Sequence, residues 1–179
     1  AGGTLSGSGT VEDPYIIEDA DDLWTFANML RGSTSHLSDC AKIADGVTMI
    51  DVSDEMWQGI PSNMTMPDGY RGTFDGNGAT IKLTMAISGG YQVGFFNTLD
   101  AGGVIKNVTI DGTVSGNYDV GGVCGRNGGT IIDCNNKADV SGKNDRVGGI
   151  AGSCMDGGKL IAFKTMSNSC LLYTSDAAD

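Results

Sequence analysis

Residues 120–134 read VGGVCGRNGGTIIDC, and a similar run begins again at Val147. A less regular copy starts at Val93, and the step from Val93 to Val120 equals the step from Val120 to Val147. In each copy a pair of adjacent glycines precedes an apolar stretch. Self-similarity at a period of roughly 20–50 residues is typical of solenoids, propellers and other repeat arrays.

The pattern within each copy selects among those architectures. Apolar residues alternate with polar ones, and clusters of glycine, asparagine or aspartate interrupt them every few residues, as in short strands joined by turns. A four-stranded propeller blade needs roughly 40 residues, whereas the shorter repeat suits one β-helix coil of three strands. The sequence therefore predicts an all-β solenoid with coils of about 27 residues and small insertions at the turns.

Two details of the coils follow from this prediction. Gly121, Gly122, Gly148 and Gly149 fit either turns with positive φ or places where adjacent coils pack tightly. The chain is expected to bend at Asn107, because the apolar residues on both sides of it point inward only if the alternation changes phase there.

Residues 1–90 differ from the repeats and contain one candidate helix. Asp19 is a suitable N-cap, and Asp22 stands at the third helical position, as in a capping box. We expect this helix to end near Gly32 and to cover the apolar end of the first coil. The apolar residues that follow the cap recur at helical spacing and define one face: Leu23, Phe26, Ala27 and Leu30. Strands of irregular early coils are expected around Ile43, Ile50, Val52, Phe74 and Ile81.

Several stretches resemble bacterial surface proteins that carry the GLUG repeat. Residues 9–17, with Asp22-Leu23, are similar to the opening segment of those proteins. Residues 72–81, GTFDGNGATI, are similar to the signature of their first coil, and residues 120–134 resemble the GLUG unit itself. The chain departs from the family pattern at Met49, where an acidic residue is usual, at Phe95-Phe96, which replace Gly-Leu, and after Gly158.

The resemblance implies a right-handed β-helix in a secreted or cell-surface bacterial protein that is often adhesin-like, and the capping helix predicted above would lie at its N-terminal end. Some family members join the repeat to an IgA-specific metallopeptidase, so the repeat alone does not fix the activity of a parent protein. We expect a cap helix with irregular first coils at residues 1–90 and GLUG-type repeats at residues 91–169.

The last ten residues, 170–179, are expected to be foreign to the protein. They read CLLYTSDAAD, which matches at every position the translation of a transposase-type sequencing adapter. We therefore expect a fragment whose natural sequence ends near Ser169, and the tail is left out of the fold prediction.

Charge and hydropathy exclude several classes of partner. The chain has 22 acidic and 11 basic residues, with a formal net charge of −11. This excess argues against nucleic acid, whose phosphates need a basic surface, and against an anionic membrane surface. The sequence has no apolar stretch near the roughly 18 residues that span a bilayer, so we expect no membrane insertion.

The sequence has no catalytic or metal-binding motif. His36 is its single histidine, which excludes an H-E-x-x-H zinc site and most histidine-dependent triads, and neither a G-x-S-x-G nor a phosphate-binding motif occurs. Cys40, Cys124, Cys134 and Cys154 are spaced too widely for zinc. Cys134 is expected to be buried. An exported protein could contain a disulfide from Cys124 to Cys154 or to Cys134, and the sequence does not decide between these pairings and free thiols. We expect no catalytic residue, cofactor or metal.

Carboxylates are the remaining candidates for chemistry, because an acidic face is what a carbohydrate-active β-helix would use. The candidates are Asp75, Asp111, Asp133 and Asp139. Asp75 and Asp111 belong to turn sequences in which aspartate bonds its own backbone, so we interpret these acids as structural. Calcium at Asp75 and Asn77 is the other interpretation, although the ligand pattern of known calcium loops is absent.

Two classes of function remain. We expect a non-catalytic β-helical module of a secreted or cell-surface bacterial protein, serving as a stalk or adhesive region. Its partner would be a host or environmental glycan or protein, for which Tyr15, Tyr91 and Tyr118 are candidate aromatic contacts. The alternative is a carbohydrate-active β-helix enzyme, or the accessory region of a surface peptidase. Acids stacked on one face would favour the enzyme.

Overall fold

The computed structural model describes residues 4–31, 34–61 and 68–165, and the predicted foreign tail lies outside these residues. Within those ranges the chain forms one helix and seventeen short strands. In chain order the elements are β1 Tyr15–Ile17, α1 Ala20–Met29, β2 Ala41–Ile43, β3 Met49–Met56, β4 Thr73–Asp75, β5 Thr80–Ala86, β6 Phe96–Leu99, β7 Val104–Lys106, β8 Thr109–Gly116, β9 Val120–Gly121, β10 Cys124–Asn127, β11 Thr130–Ile132, β12 Asn135–Asn136, β13 Asp139–Gly142, β14 Val147–Gly148, β15 Ala151–Cys154, β16 Lys159–Ile161 and β17 Lys164–Thr165.

The strands pair with their equivalents in the next coil rather than with their neighbours in sequence. The first sheet has the order β1-β2-β4-β7-β11-β16, and the second has the order β3-β5-β8-β12-β17, with β13 also paired to β8. The third sheet is β6-β10-β15, beside the short pair β9-β14. All pairings between these strands are parallel. Stacked parallel coils of this kind form a β-solenoid, which confirms the predicted architecture.

The register between coils shows the predicted period. Cys124 pairs with Ala151 at the spacing of the sequence repeat, and Thr130 pairs with Lys159 at a slightly longer spacing. The predicted strands around Ile50 and Ile81 are also paired, as neighbours in the second sheet. Because insertions fall in the turns, coils of slightly different length keep their strands in register.

A left-handed residue forms the corner between the first and second sheets. Asn107, Asp133 and Ala162 occupy equivalent positions in three coils, with φ of 56°, 54° and 48°. This conformation turns the chain so that Ile105 before the corner and Val108 after it are both buried. The predicted change of phase at Asn107 is therefore confirmed.

Close packing between coils, not backbone freedom, accounts for Gly121 and Gly122. None of the four glycines predicted for this role, at positions 121, 122, 148 and 149, adopts a left-handed φ. A Cβ atom on Gly121 would lie 2.7 Å from the Cα atom of Ala151, and one on Gly122 would lie 2.7 Å from the carbonyl oxygen of Gly149. Real Cβ atoms do not approach other atoms that closely, so of the two predicted explanations the structure selects tight packing.

The capping helix forms where the sequence predicts it. The Oδ1 atom of Asp19 accepts a hydrogen bond from the Asp22 amide at 2.9 Å, and the Oδ2 atom of Asp22 accepts one from the Glu18 amide at 2.9 Å. The helix itself ends at Met29, and Leu30 is its C-cap, slightly before the predicted end. All four residues of the predicted apolar face are buried: Leu23, Phe26, Ala27 and Leu30.

An aromatic cluster fills the core beneath this helix. Phe74 lies at its centre, with its ring centroid 5.4 Å from those of Phe95 and Phe96 and 6.2 Å from that of Phe26. Two more rings extend the cluster on either side, those of Trp57 and Tyr70, and all six rings are fully buried. The Phe95-Phe96 departure from the family pattern therefore supplies the side-chain volume that fills the coil next to the cap.

The position of Phe74 yields the first prediction. Replacing Phe74 with alanine leaves a cavity between the helix and the coils, and should lower the free energy of unfolding by about 3–5 kcal/mol in urea titrations. Val11→Ala is the control, because Val11 is 72% exposed and its loss should change stability by less than about 0.5 kcal/mol. Equal effects of the two substitutions would contradict the described core.

Candidate functional site

The four candidate aspartates do not form one acidic site. Asp75 is on the first sheet, and its Oδ1 atom accepts hydrogen bonds from the Asn77 amide at 2.8 Å and from Asn107 Nδ2 at 3.3 Å. Asp111 is on the second sheet and accepts from the Gly112 amide at 2.8 Å. Asp133 occupies the left-handed corner, and Asp139 pairs with Thr113 on the second sheet.

Oppositely charged neighbours separate the acids along both sheets. On the second sheet Asp51, Lys82 and Asp111 stand in register, so that each carboxylate faces the lysine. Hydrogen bonds from Ser53, and then the charge of Lys82, lower the pKa of Asp51. Such alternation supports the interpretation of Asp111 as structural, because like charges directly opposite each other would destabilise the sheet.

A similar column runs along the first sheet, where Asp75 stands in register between Lys42 and Lys106. These three residues line a shallow cavity of about 290 Å³, together with Val11, Glu12, Pro14, Cys40, Ala41 and Thr73. Because two lysines are balanced by two acids, the cavity does not concentrate charge of one sign.

Metal binding finds little support at the predicted calcium position. Asn77 uses its Nδ2 atom to donate to the Ile43 carbonyl at 3.0 Å and to Asp45 Oδ1 at 2.8 Å. Among residues 4–31, 34–61 and 68–165, no three His, Cys, Asp or Glu side chains are grouped closely enough to hold a metal ion. The Nδ1 atom of His36 lies 2.7 Å from Asp39 Oδ2 at a partly exposed position.

None of the four cysteines in the described ranges is joined in a disulfide. Cys124 stands opposite Ala151, and Cys154 stands opposite Asn127, three positions farther along the strands. At roughly 3.3 Å per residue this offset alone is about 10 Å, beyond the Cα separation that a disulfide spans. Cys134 is fully buried, as predicted, and its Sγ atom is 3.4 Å from the Ile132 carbonyl oxygen.

The two tyrosines at the repeat boundary are stacked on each other. The ring centroids of Tyr91 and Tyr118 are 5.4 Å apart, and their planes differ by 4°. Tyr91 is 58% exposed, whereas Tyr118 is partly buried. Tyr15 lies elsewhere, on β1 of the first sheet, so the structure brings together two of the three tyrosines of the predicted aromatic strip.

An ion pair supports this turn from the next coil. The guanidinium of Arg146 donates from Nε to Asp119 Oδ1, and from Nη2 to Asp119 Oδ2 at 3.4 Å. Asp119 is 5% exposed, and its hydrogen bond raises the pKa of Arg146. The Arg146 Cζ atom also lies 5.7 Å from the centroid of the Tyr118 ring, within the range of a cation–π contact.

Asparagines continue the contacts between coils at the same turn. Asn144 Nδ2 donates to Asn117 Oδ1, and the Asn144 amide donates to the Asn117 carbonyl at 3.0 Å. The Asn117 amide donates in turn to the carbonyl of Gly90 at 3.1 Å. Hydrogen bonds therefore join three successive coils at this point.

We name residues 88–91, 117–119 and 144–146 the tyrosine turn. Its ion pair is absent from the sequence prediction. The separation of Asp119 and Arg146 was nevertheless a detectable signal, because it equals the spacing of the repeat.

A groove of about 380 Å³ adjoins the tyrosine turn along the chain. It is lined by Ala86, Ile87, Ser88, Ser115, Gly116, Ser141, Gly142 and Lys143. The groove therefore crosses three coils, and Gly116 and Lys143 directly precede the bonded asparagines.

Stacked parallel coils, a helical cap and corners with left-handed residues define a parallel β-solenoid. Residues 116–141, which contain the central repeat, match the family model of the GLUG motif. The chain accordingly contains a GLUG motif within its solenoid. No helix among the residues that the structure describes is long and apolar enough to cross a membrane.

Two comparisons extend this result. The chain is 35% identical, over 157 residues, to halomucin from Haloquadratum walsbyi strain DSM 16790 / HBSQ001. That match covers 84% of the chain and 2% of halomucin. The fold is also similar to the crystal structure of a candidate immunoglobulin A1 protease from Bacteroides ovatus, with a TM-score of 0.72 and 24% identity. The similarity covers 90% of the chain and 49% of the Bacteroides protein, so the chain spans less than half the length of either.

The ion pair of the tyrosine turn yields a stability prediction. Arg146→Ala leaves the buried Asp119 carboxylate without its guanidinium partner, and should measurably lower the free energy of unfolding. Lys143→Ala removes a nearby exposed cation and should cost less than about 0.5 kcal/mol. Chemical unfolding of both variants checks the difference, and a neutral Arg146→Ala would show that the pair does not hold the turn.

The cysteines yield a reactivity prediction. Burial raises the pKa of the Cys134 thiol to about 12 and also raises that of Cys124 well above its usual range, so neither is a thiolate at pH 8. Cys154 is only partly buried, so reagent can reach it although burial raises its pKa as well. Iodoacetamide at that pH should therefore label Cys154 in the folded protein, and Cys124 and Cys134 only after unfolding, as peptide mass mapping can show. A disulfide-linked peptide in the unreduced digest would contradict the described state of the cysteines.

Proposed function

We propose that this chain is a non-catalytic β-solenoid module of a secreted or cell-surface protein, which acts as a rigid stalk and presents an adhesive surface. The observation that carries the proposal is the unbroken first sheet, in which six strands from β1 to β16 are hydrogen-bonded from coil to coil. One hydrophobic core also runs from Leu23 of the helix to Leu160 of the last described coil.

Continuous pairing supports the role of a stalk. Each coil is held to the next by main-chain hydrogen bonds on several sheets. Bending between coils would therefore break hydrogen bonds on at least one of these sheets. The helix covers one end of the core, where open strand edges would otherwise invite association with other chains. A stiff module of this kind holds its outer surfaces at fixed spacing.

The contacts of the acids support the absence of catalysis. Asp75 and Asp111 accept hydrogen bonds from turn amides and stand beside lysines in register, so their charges are compensated within the fold. The similarity to halomucin, whose name refers to a mucin, supports an exported setting.

An accessory region of a surface peptidase is the second candidate. The similarity to the Bacteroides ovatus protein favours it, because that protein is described as a candidate immunoglobulin A1 protease and the chain matches 49% of it. In that role the solenoid would position a separate catalytic domain and would not cut substrate itself.

An activity assay tests the non-catalytic assignment. The purified chain should release no reducing ends or unsaturated products from polygalacturonate, alginate or neutral glucans, and should not cut immunoglobulin A1. Glycan cleavage that is lost in Asp75→Ala or Asp133→Ala, but kept in Asp139→Ala, would overturn the proposal and favour the enzyme.

Hydrogen exchange tests the stalk. The buried amides of β5, β8 and β11 should show similar protection, because the coils are expected to open as one cooperative unit. Protection that drops sharply between β8 and β11 would mean that the coils move independently, and would contradict a rigid module.

A further inference from the structure

We propose that the tyrosine turn is a binding site for a neutral glycan, in which a sugar ring stacks on the open face of Tyr91. The proposal rests on the adhesive role proposed above and names the surface and the class of ligand that would carry it.

The geometry of the stack leaves one aromatic face available. Tyr118 covers one face of the Tyr91 ring, with the planes 4° apart, and the Tyr118 ring has the Arg146 guanidinium 5.7 Å from its centroid on the next coil. Among the described residues, the stacked groups are therefore, in order, the Arg146 guanidinium, the Tyr118 ring and the Tyr91 ring. Since Tyr91 is 58% exposed despite this contact, more than half of its surface is accessible to a ligand.

The surroundings of the rings favour a sugar over an apolar partner. A pyranose ring has an apolar face of C–H groups that packs on an aromatic ring, and a rim of hydroxyls that needs hydrogen-bonding groups. Ser88, Asn117 and Asn144 supply such groups at the turn. The other residues of the tyrosine turn are polar or charged, apart from the two glycines, 89 and 90.

The charge balance favours a neutral glycan over an acidic one. Within the turn and at its edge, Arg146 is paired with Asp119, and the charges of Lys143 and Asp145 cancel. The chain as a whole carries −11, so a polyanionic glycan would be repelled without a compensating basic patch.

The site is held in place before a ligand arrives. The Asp119–Arg146 ion pair, the Asn117–Asn144 side-chain bond and main-chain bonds to Gly90 fix the turn across three coils. A binding surface that is fixed in advance loses less conformational entropy when the ligand binds, which favours affinity from few contacts.

Binding to defined glycans tests the proposal. The full chain is applied to an array of neutral glucans, galactans and mannans and of sialylated and uronic-acid glycans, and the strongest binder is measured by calorimetry. We expect binding to a neutral glycan that Tyr91→Ala weakens by about tenfold and that Tyr91→Phe changes by less than about twofold, because stacking needs the ring and not the hydroxyl. Tyr15→Phe on the first sheet is a matched control and should leave the affinity unchanged.

Each other outcome overturns the inference. Binding that survives Tyr91→Ala would place the site elsewhere. A preference for acidic glycans would contradict the charge argument. Absence of binding to any glycan at millimolar concentration would exclude a glycan as the ligand. Thermal unfolding of Tyr91→Ala confirms that the variant is folded, because the exposed ring contributes little to the core. The activity and exchange experiments on the stalk do not depend on Tyr91, so the failure of this inference and the failure of the proposed function are distinguishable.

Discussion

Parallel hydrogen bonding between equivalent strands of successive coils is the constraint on which the rest of this structure depends. A strand in a solenoid has no partner within its own coil, so its amides and carbonyls are satisfied only by the coils before and after it. Corners must therefore return the chain to the same register each time, which Asn107, Asp133 and Ala162 do in a left-handed conformation. Small residues at contact points follow from the same requirement, as the close approach at Gly121 shows.

The interior of the coil stack and its capped end differ in how their cores are filled. Inside the stack, apolar side chains of one coil lie on those of the next, and small residues such as Cys124 and Ala151 suffice. Beneath the helix the neighbouring surface is no longer a coil, and the space is filled by large rings around Phe74. The aromatic cluster therefore fills the space between the repetitive core of the coils and the capping helix.

Periodicity made much of the fold predictable. The repeat at Val93, Val120 and Val147 predicts coil length and strand positions because each coil must match the next, and the capping helix follows from Asp19 and an apolar face at helical spacing. The packing role of Gly121 was not decidable from sequence, because a turn and a close contact both call for glycine.

The candidate site was less predictable than the fold. The three tyrosines look alike in sequence, and only the register shows that Tyr91 and Tyr118 meet while Tyr15 belongs to another sheet. Arg146 was missed because a contact with a residue one coil away has no local signature, although the same spacing defines the repeat. Residues on corners depend on how coils stack, and this is three-dimensional information.

The charge columns limit how such a protein can lengthen. Along the second sheet the sign alternates from Asp51 to Lys82 to Asp111, and along the first from Lys42 to Asp75 to Lys106. Tandem duplication of a single coil would set two like charges side by side in both columns, whereas duplication of a pair of coils would keep the alternation. Gene duplication in this part of the molecule is therefore better tolerated in units of two coils, or in single coils followed by a change of charge.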